Sequence, residues 1–107
     1  MTEKLKEVSS IATTDNYAEL ISLAVPAQVT GLLISLKEKN TNAVLYKIQG
    51  SNDPDFTVAE DLKGETTLAK NGSVYETIAE PWLHVRVLVK AAVAESQGAV
   101  SCVISGS

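Results

Sequence analysis

The stretch from Trp82 to Lys90, WLHVRVLVK, sets Leu83, Val85, Val87 and Val89 against Trp82, His84, Arg86, Leu88 and Lys90. Side chains of an extended chain point alternately to opposite faces, so this period of two marks a strand with one buried face. The same period runs through most of the chain after Asn16, and helical spacing barely appears. YAELISLAV places Tyr17, Ile21, Leu23 and Val25 on one side and stops at Pro26, which has no amide to give to a ladder. GLLISLKEK turns Leu32, Ile34 and Leu36 to one face, AVLYKIQG does the same with Val44, Tyr46 and Ile48, and AVSCVIS closes the chain with Val100, Cys102 and Ile104. Ile21, Leu23 and the inward residues of these three later strands, with Leu83, Val85 and Val87, make up the predicted core.

The connections are short and carry turn chemistry. KEKNTN suits a hairpin between its flanking strands, and Lys70-Asn71-Gly72 suits another between ETTLA and SVYETIA. Leu5, Val8 and Ile11 recur at a spacing of three, and residues 1–10 read as an extended arm that becomes an edge strand near Ile11. Seven to eight short strands joined by turns predict an all-β fold, a single antiparallel β-sandwich or jelly-roll-like domain over residues 1–107.

The totals exclude several roles. With 45% hydrophobic and 21% charged residues the chain can bury a core. One cysteine, Cys102, leaves no disulfide framework and suggests cytoplasmic synthesis. The charged start MTEKLKEVSS and the lack of a long apolar run predict neither export nor membrane insertion. A net charge of −4 without a basic cluster argues against nucleic acid.

Little in the sequence points to catalysis. The one histidine, His84, falls on an outward position and Cys102 on an inward one, so a nucleophile–base pair is not expected. Carboxylates fall mostly in turns or on outward positions, and five aromatic residues (one Trp, three Tyr, one Phe) offer little to line a deep pocket, so no enzymatic activity is expected. In YKIQGSNDPDF, Asn52, Asp53 and Asp55 partly match the start of a calcium loop. Counted from Asp53, however, Val58 stands at the glycine position and Gly64 at the closing glutamate. The segment reads instead as a turn in which Asn and Asp cap their own backbone, Gly50 bends the strand out of its sheet and Pro54 stiffens the corner. No metal or cofactor is expected.

The corner Gly50-Ser51-Asn52-Asp53, the strand carrying Trp82, Val85, Arg86 and Val87, and the closing Ile104-Ser105-Gly106 together resemble small β-sandwich structural proteins of tailed bacteriophages. The corner is also similar to discoidin-like sandwiches, although Pro54-Asp55-Phe56 stands where that family carries glycine and tryptophan. The phage resemblance implies a non-enzymatic virion protein, a head-decoration, head-completion or tail component made in the bacterial host cytoplasm. It would bind other copies of itself, as a trimer or ring, and a larger capsid or tail protein. Candidate contact residues are Ser51, Asn52, Asp53, Pro54, Asp55 and Phe56 in the corner, and Leu33, Leu45 and Leu88 among the outward apolar residues, which also include Leu20 and Val103. The alternative is a carbohydrate-binding module, which would need Phe56, Trp82 or Tyr75 to form an exposed platform.

Overall fold

The computed structural model of the chain describes residues 3–80 and 82–107. It contains β1 (Glu3–Ala12), β2 (Ala18–Ala24), β3 (Leu32–Glu38), β4 (Val44–Ser51), β5 (Glu60–Leu68), β6 (Ser73–Ile78), β7 (His84–Ala91) and β8 (Ala99–Gly106). Two four-stranded sheets form, in the orders β1-β8-β3-β6 and β2-β7-β4-β5, and every pairing is antiparallel. This is the strand order of a jelly roll: consecutive strands lie in opposite sheets, except β4 and β5, which are neighbours.

The inner faces meet as the alternation predicts. Ile34 and Leu36 lie opposite Ile104 and Cys102 in the first sheet, and Tyr46 and Ile48 opposite Val89 and Val87 in the second. All eight are buried, together with Ile21, Leu32, Val44, Val85 and Val100. Two positions differ. Leu23 is only partly buried, and Leu83 precedes β7 and is 57% exposed. Its inward place is taken by Trp82, whose ring packs against the core beside Gly50. Leu20, predicted to face outward, is buried next to Ile21 because a bulge between Glu19 and Ile21 breaks the alternation. Leu68, Ile78, Leu88 and Ala91 complete the buried apolar set.

Three connections are not what local turn chemistry suggests. The segments expected to be hairpins, 39–43 and 69–72, instead carry the chain from one sheet to the other. Asn40 and Asn71 hold the left-handed conformations, φ 65° and 58°, that either kind of turn would need. Gly50 does not bend the strand away: β4 continues through Gly50 to Ser51, and the following loop returns to β5 in the same sheet. A Cβ on Gly50 would lie 2.6 Å from Trp82 Cδ2, so this glycine makes room for the ring. At the amino terminus, β1 pairs with β8 from Glu3 onwards, with irregularities near Leu5 and Ser10, so most of the expected arm is already strand. Met1 and Thr2 of that arm lie outside the described residues.

Candidate functional site

The corner after β4 is built by its own polar groups. Ser51 is fully buried; its hydroxyl donates to Val58 O at 2.6 Å and accepts from Asp53 N at 3.0 Å. Asp53 accepts from Asp55 N at 3.0 Å and Thr57 N at 3.2 Å, and these bonds hold its carboxyl below the usual range. Asn52 Oδ1 accepts from Leu83 N at 3.4 Å. Both Asp53 oxygens are thus committed to backbone amides, the arrangement expected of a self-capping turn. Among the described residues no three His, Cys, Asp or Glu side chains group as a metal site would require.

Phe56, at φ 53°, folds back over the outer face of the second sheet. The Arg86 guanidinium lies 4.4 Å from its ring centre, and His84 meets the ring edge-on at 6.3 Å. Arg86 in turn donates to Gln49 Oε1 at 2.8 and 2.9 Å, and Gln49 donates to Asp61 at 2.8 Å. Farther along the same face Tyr17 lies beneath Lys47 and Lys90, at 4.7 and 4.9 Å, and donates to Glu65 at 2.7 Å. This outer face is therefore a fabric of charges and rings that are already partnered. Leu45 and Leu88 lie on it, but Leu88 is only 9% exposed and offers little to a partner.

Leu33 is elsewhere, on the outer face of the first sheet, so the candidate contact residues divide between opposite sides of the molecule. Around Leu33 the register places Ser105 and Thr77; the next row holds Val103, Ser35 and Tyr75, and the next Ser101, Lys37 and Ser73. Lys37 is the one charged side chain in these three rows, and it is bound to Asn71 at 2.6 Å (O) and 3.0 Å (Oδ1). Charges return only at β1, where Lys4 and Glu7 pair at 2.8 Å. A shallow groove of about 310 Å³ opens at one end of this face, lined by Leu32, Leu33, Ile78 and Gly106 among others.

The three rings that a sugar platform would combine are dispersed. Phe56 lies over the second sheet, Tyr75 stands 69% exposed on the first, and Trp82 is tucked against the core. His84 and Cys102 likewise sit on different sheets, the thiol inside and pushed up to about 12 by burial.

The most elaborate polar cluster was not singled out by sequence reasoning. Glu38 is fully buried at the end of β3. Burial alone would raise its pKa, but donors from Thr41 (amide and hydroxyl), Asn71 N and Ala99 N bring it down to about 2. Glu38 falls in phase with Leu32, Ile34 and Leu36, and that parity was the available signal. Its oxygens are saturated by donors that tie three connections together, which makes it a fastening rather than a reactive group.

No family model and no curated protein matches the chain. Among solved structures it is similar to PirA, with a TM-score of 0.66 over 94% of this chain and 93% of that one, at 13% identity. It is also similar to a chain of the Bacillus endospore appendages, which form a family of disulfide-linked pili, with a TM-score of 0.58 over 100% of this chain and 87% of that one, at 11% identity. At such identities the likeness establishes the β-sandwich fold and no more.

Proposed function

We propose that this chain is a non-enzymatic structural subunit that acts by binding other protein surfaces, including copies of itself. The carrying observation is the difference between its faces. One outer face is woven with partnered charges, whereas the rows from Leu33 to Lys37 on the other present hydroxyls, Leu33, Val103 and Tyr75 with a single charge. Charge depletion with an exposed aromatic is the composition of an interface core. The appendage chain with the same fold belongs to an assembled fibre, which is consistent with such a role. Here the thiol of Cys102 is buried, so contacts between these 107 residues would be non-covalent rather than disulfide-linked.

The setting we favour is the virion of a tailed phage, as a head or tail component made in the bacterial cytoplasm, and it rests on the corner, the Val85-Arg86-Val87 strand and the closing Ile104-Ser105-Gly106 alone. Particles purified from producing cells, digested and analysed by mass spectrometry, should yield peptides of this chain in fixed ratio to a major shell or tube protein. Recovery of the chain only as free protein would overturn the reading. Binding on a glycan array that is lost when Tyr75 or Phe56 is replaced by Ala would also count against it.

A further inference from the structure

We propose that the free edge of β6 pairs, antiparallel and about a twofold axis, with β6 of a second copy of this chain. Four strands are edges: β1, β2, β5 and β6. The first three are interrupted by register shifts, two in β1, one in β2 and two in β5, and such bulges blunt an edge against added strands. β6 matches β3 without a break from Ser73 to Ile78.

The alternation of the ladder says which groups are free. Glu38 N donates to Gly72 O at 2.9 Å, one step beyond the Lys37–Ser73 pair. Hydrogen-bonded pairs recur at every second residue, so Val74, Glu76 and Ile78 turn their amides and carbonyls onto β3. Ser73, Tyr75 and Thr77 turn theirs to the open side. Only registers that oppose these three residues can form bonds. Centred on Tyr75, the pairing sets Tyr75 against itself and Ser73 against Thr77, for about six backbone hydrogen bonds. Aromatic and hydroxyl cross-strand pairs are favourable ones. On the inner side Glu76 faces Val74, and beyond the strand ends Lys70 of one copy approaches Glu80 of the other. Centred one residue later, Glu76 would face Glu76, a repulsive pair in a chain already at net −4. Centred one residue earlier, Thr77 would face Asn71, which is in a left-handed turn at φ 58°.

The result is one continuous sheet through both copies, with the charge-poor outer faces side by side. The contact is isologous and closes at two, so the trimer or ring expected from the sequence would need a further surface. It rests on the structural-subunit reading but fails separately from it, because the presence of the chain in particles does not depend on β6.

Light scattering after gel filtration, at loads up to several hundred micromolar, should give the mass of two chains. Tyr75→Pro removes an amide that makes no bond to β3, so the monomer should still melt cooperatively. The same change removes a bond at the centre of the pairing from each copy and blocks its register. The dimer should weaken on the order of 100-fold. In the proposed register the two Tyr75 Cα atoms lie about 5.5 Å apart, within disulfide reach. Oxidised Tyr75→Cys protein should therefore run as a covalent dimer, and Ser35→Cys, one strand inward, should not. A wild-type protein that stays monomeric, a dimer indifferent to Tyr75→Pro, or failure of Tyr75→Cys to cross-link would each overturn the pairing. Should Tyr75→Pro fail to fold, the cross-link decides.

Discussion

Glu38 and Gly50 show how much single residues carry in a small sandwich. Glu38 would be costly as a bare buried charge, and it is tolerated because Thr41, Asn71 and Ala99 all donate to it. Glu38→Gln places an amide NH₂ where donors already converge, and should cost about 2–4 kcal/mol in urea unfolding at pH 7. Its folded pKa of about 2 lies below the ordinary 4.5, so the folded state binds the proton less readily than the unfolded chain. That contribution is complete above pH 4.5 and lost as the pH falls towards 2. Melts between those values should show a steep fall for the native protein and a shallower one for Glu38→Gln; equal slopes would mean the carboxylate is not held as described. Gly50→Ala would drive a methyl into the Trp82 ring, 2.6 Å from Cδ2. It should cost about 1–3 kcal/mol by overpacking. As Trp82 is the only tryptophan, its emission should shift to the red, and an unshifted spectrum would show that the ring has room to spare.

At the scale of elements, β7 bears the most weight. It lies between β2 and β4 in its sheet, with Val85, Val87 and Val89 all buried, Val87 at 0% exposure. Val87→Asp would bury a charge with no partner, at a cost of several kcal/mol against a whole stability of about 5–15. The expected outcome is failure to accumulate as folded protein, and a soluble, cooperatively melting variant would contradict the placement of Val87. The edges show the opposite concern. The space between β5 and β6 is closed by Lys63 and Glu76, 3.6 Å apart, with Tyr46 donating to Glu76 at 2.5 Å. On the β5 edge the inward-pointing Lys63 discourages strand addition. On β6 the inward Glu76 is already paired with Lys63 and Tyr46, while the backbone groups of Ser73, Tyr75 and Thr77 stay open.

Across the whole molecule, Glu3 near one end of the chain pairs with Gly106 near the other, and among the described strands only β4 and β5 are neighbours both in sequence and in a sheet. Most ladders therefore close long loops before any contact offsets the lost entropy. Folding should be slow for the chain length, in the range of about milliseconds to seconds, as for other sandwiches of non-local pairing. Stopped-flow refolding followed by Trp82 emission measures this directly, and a microsecond phase accounting for the full amplitude would contradict it.

The period of two, read residue by residue, was sufficient to determine the class of fold, the strands from β2 onwards and nearly all of the core, because alternation is a local consequence of extended backbone meeting one dry face. It failed where that consequence is interrupted: at Leu20, where a bulge turns two successive residues inward, and at Leu83, where the strand has not yet begun and Trp82 fills the space. The self-capping of Asp53 was legible for the same local reason. Whether Asn40 and Asn71 turn the chain back within a sheet or across to the other was not, since both routes ask the same dihedral angles of the turn. Tertiary contacts decide it, and Glu38 binding the amides of Thr41, Asn71 and Ala99 at once is the visible part of that decision. The dispersal of the candidate contact residues over opposite faces, and the unbroken edge of β6, follow from the same choice of sheet. No pattern along one strand can encode it, because it depends on which strand arrives beside it.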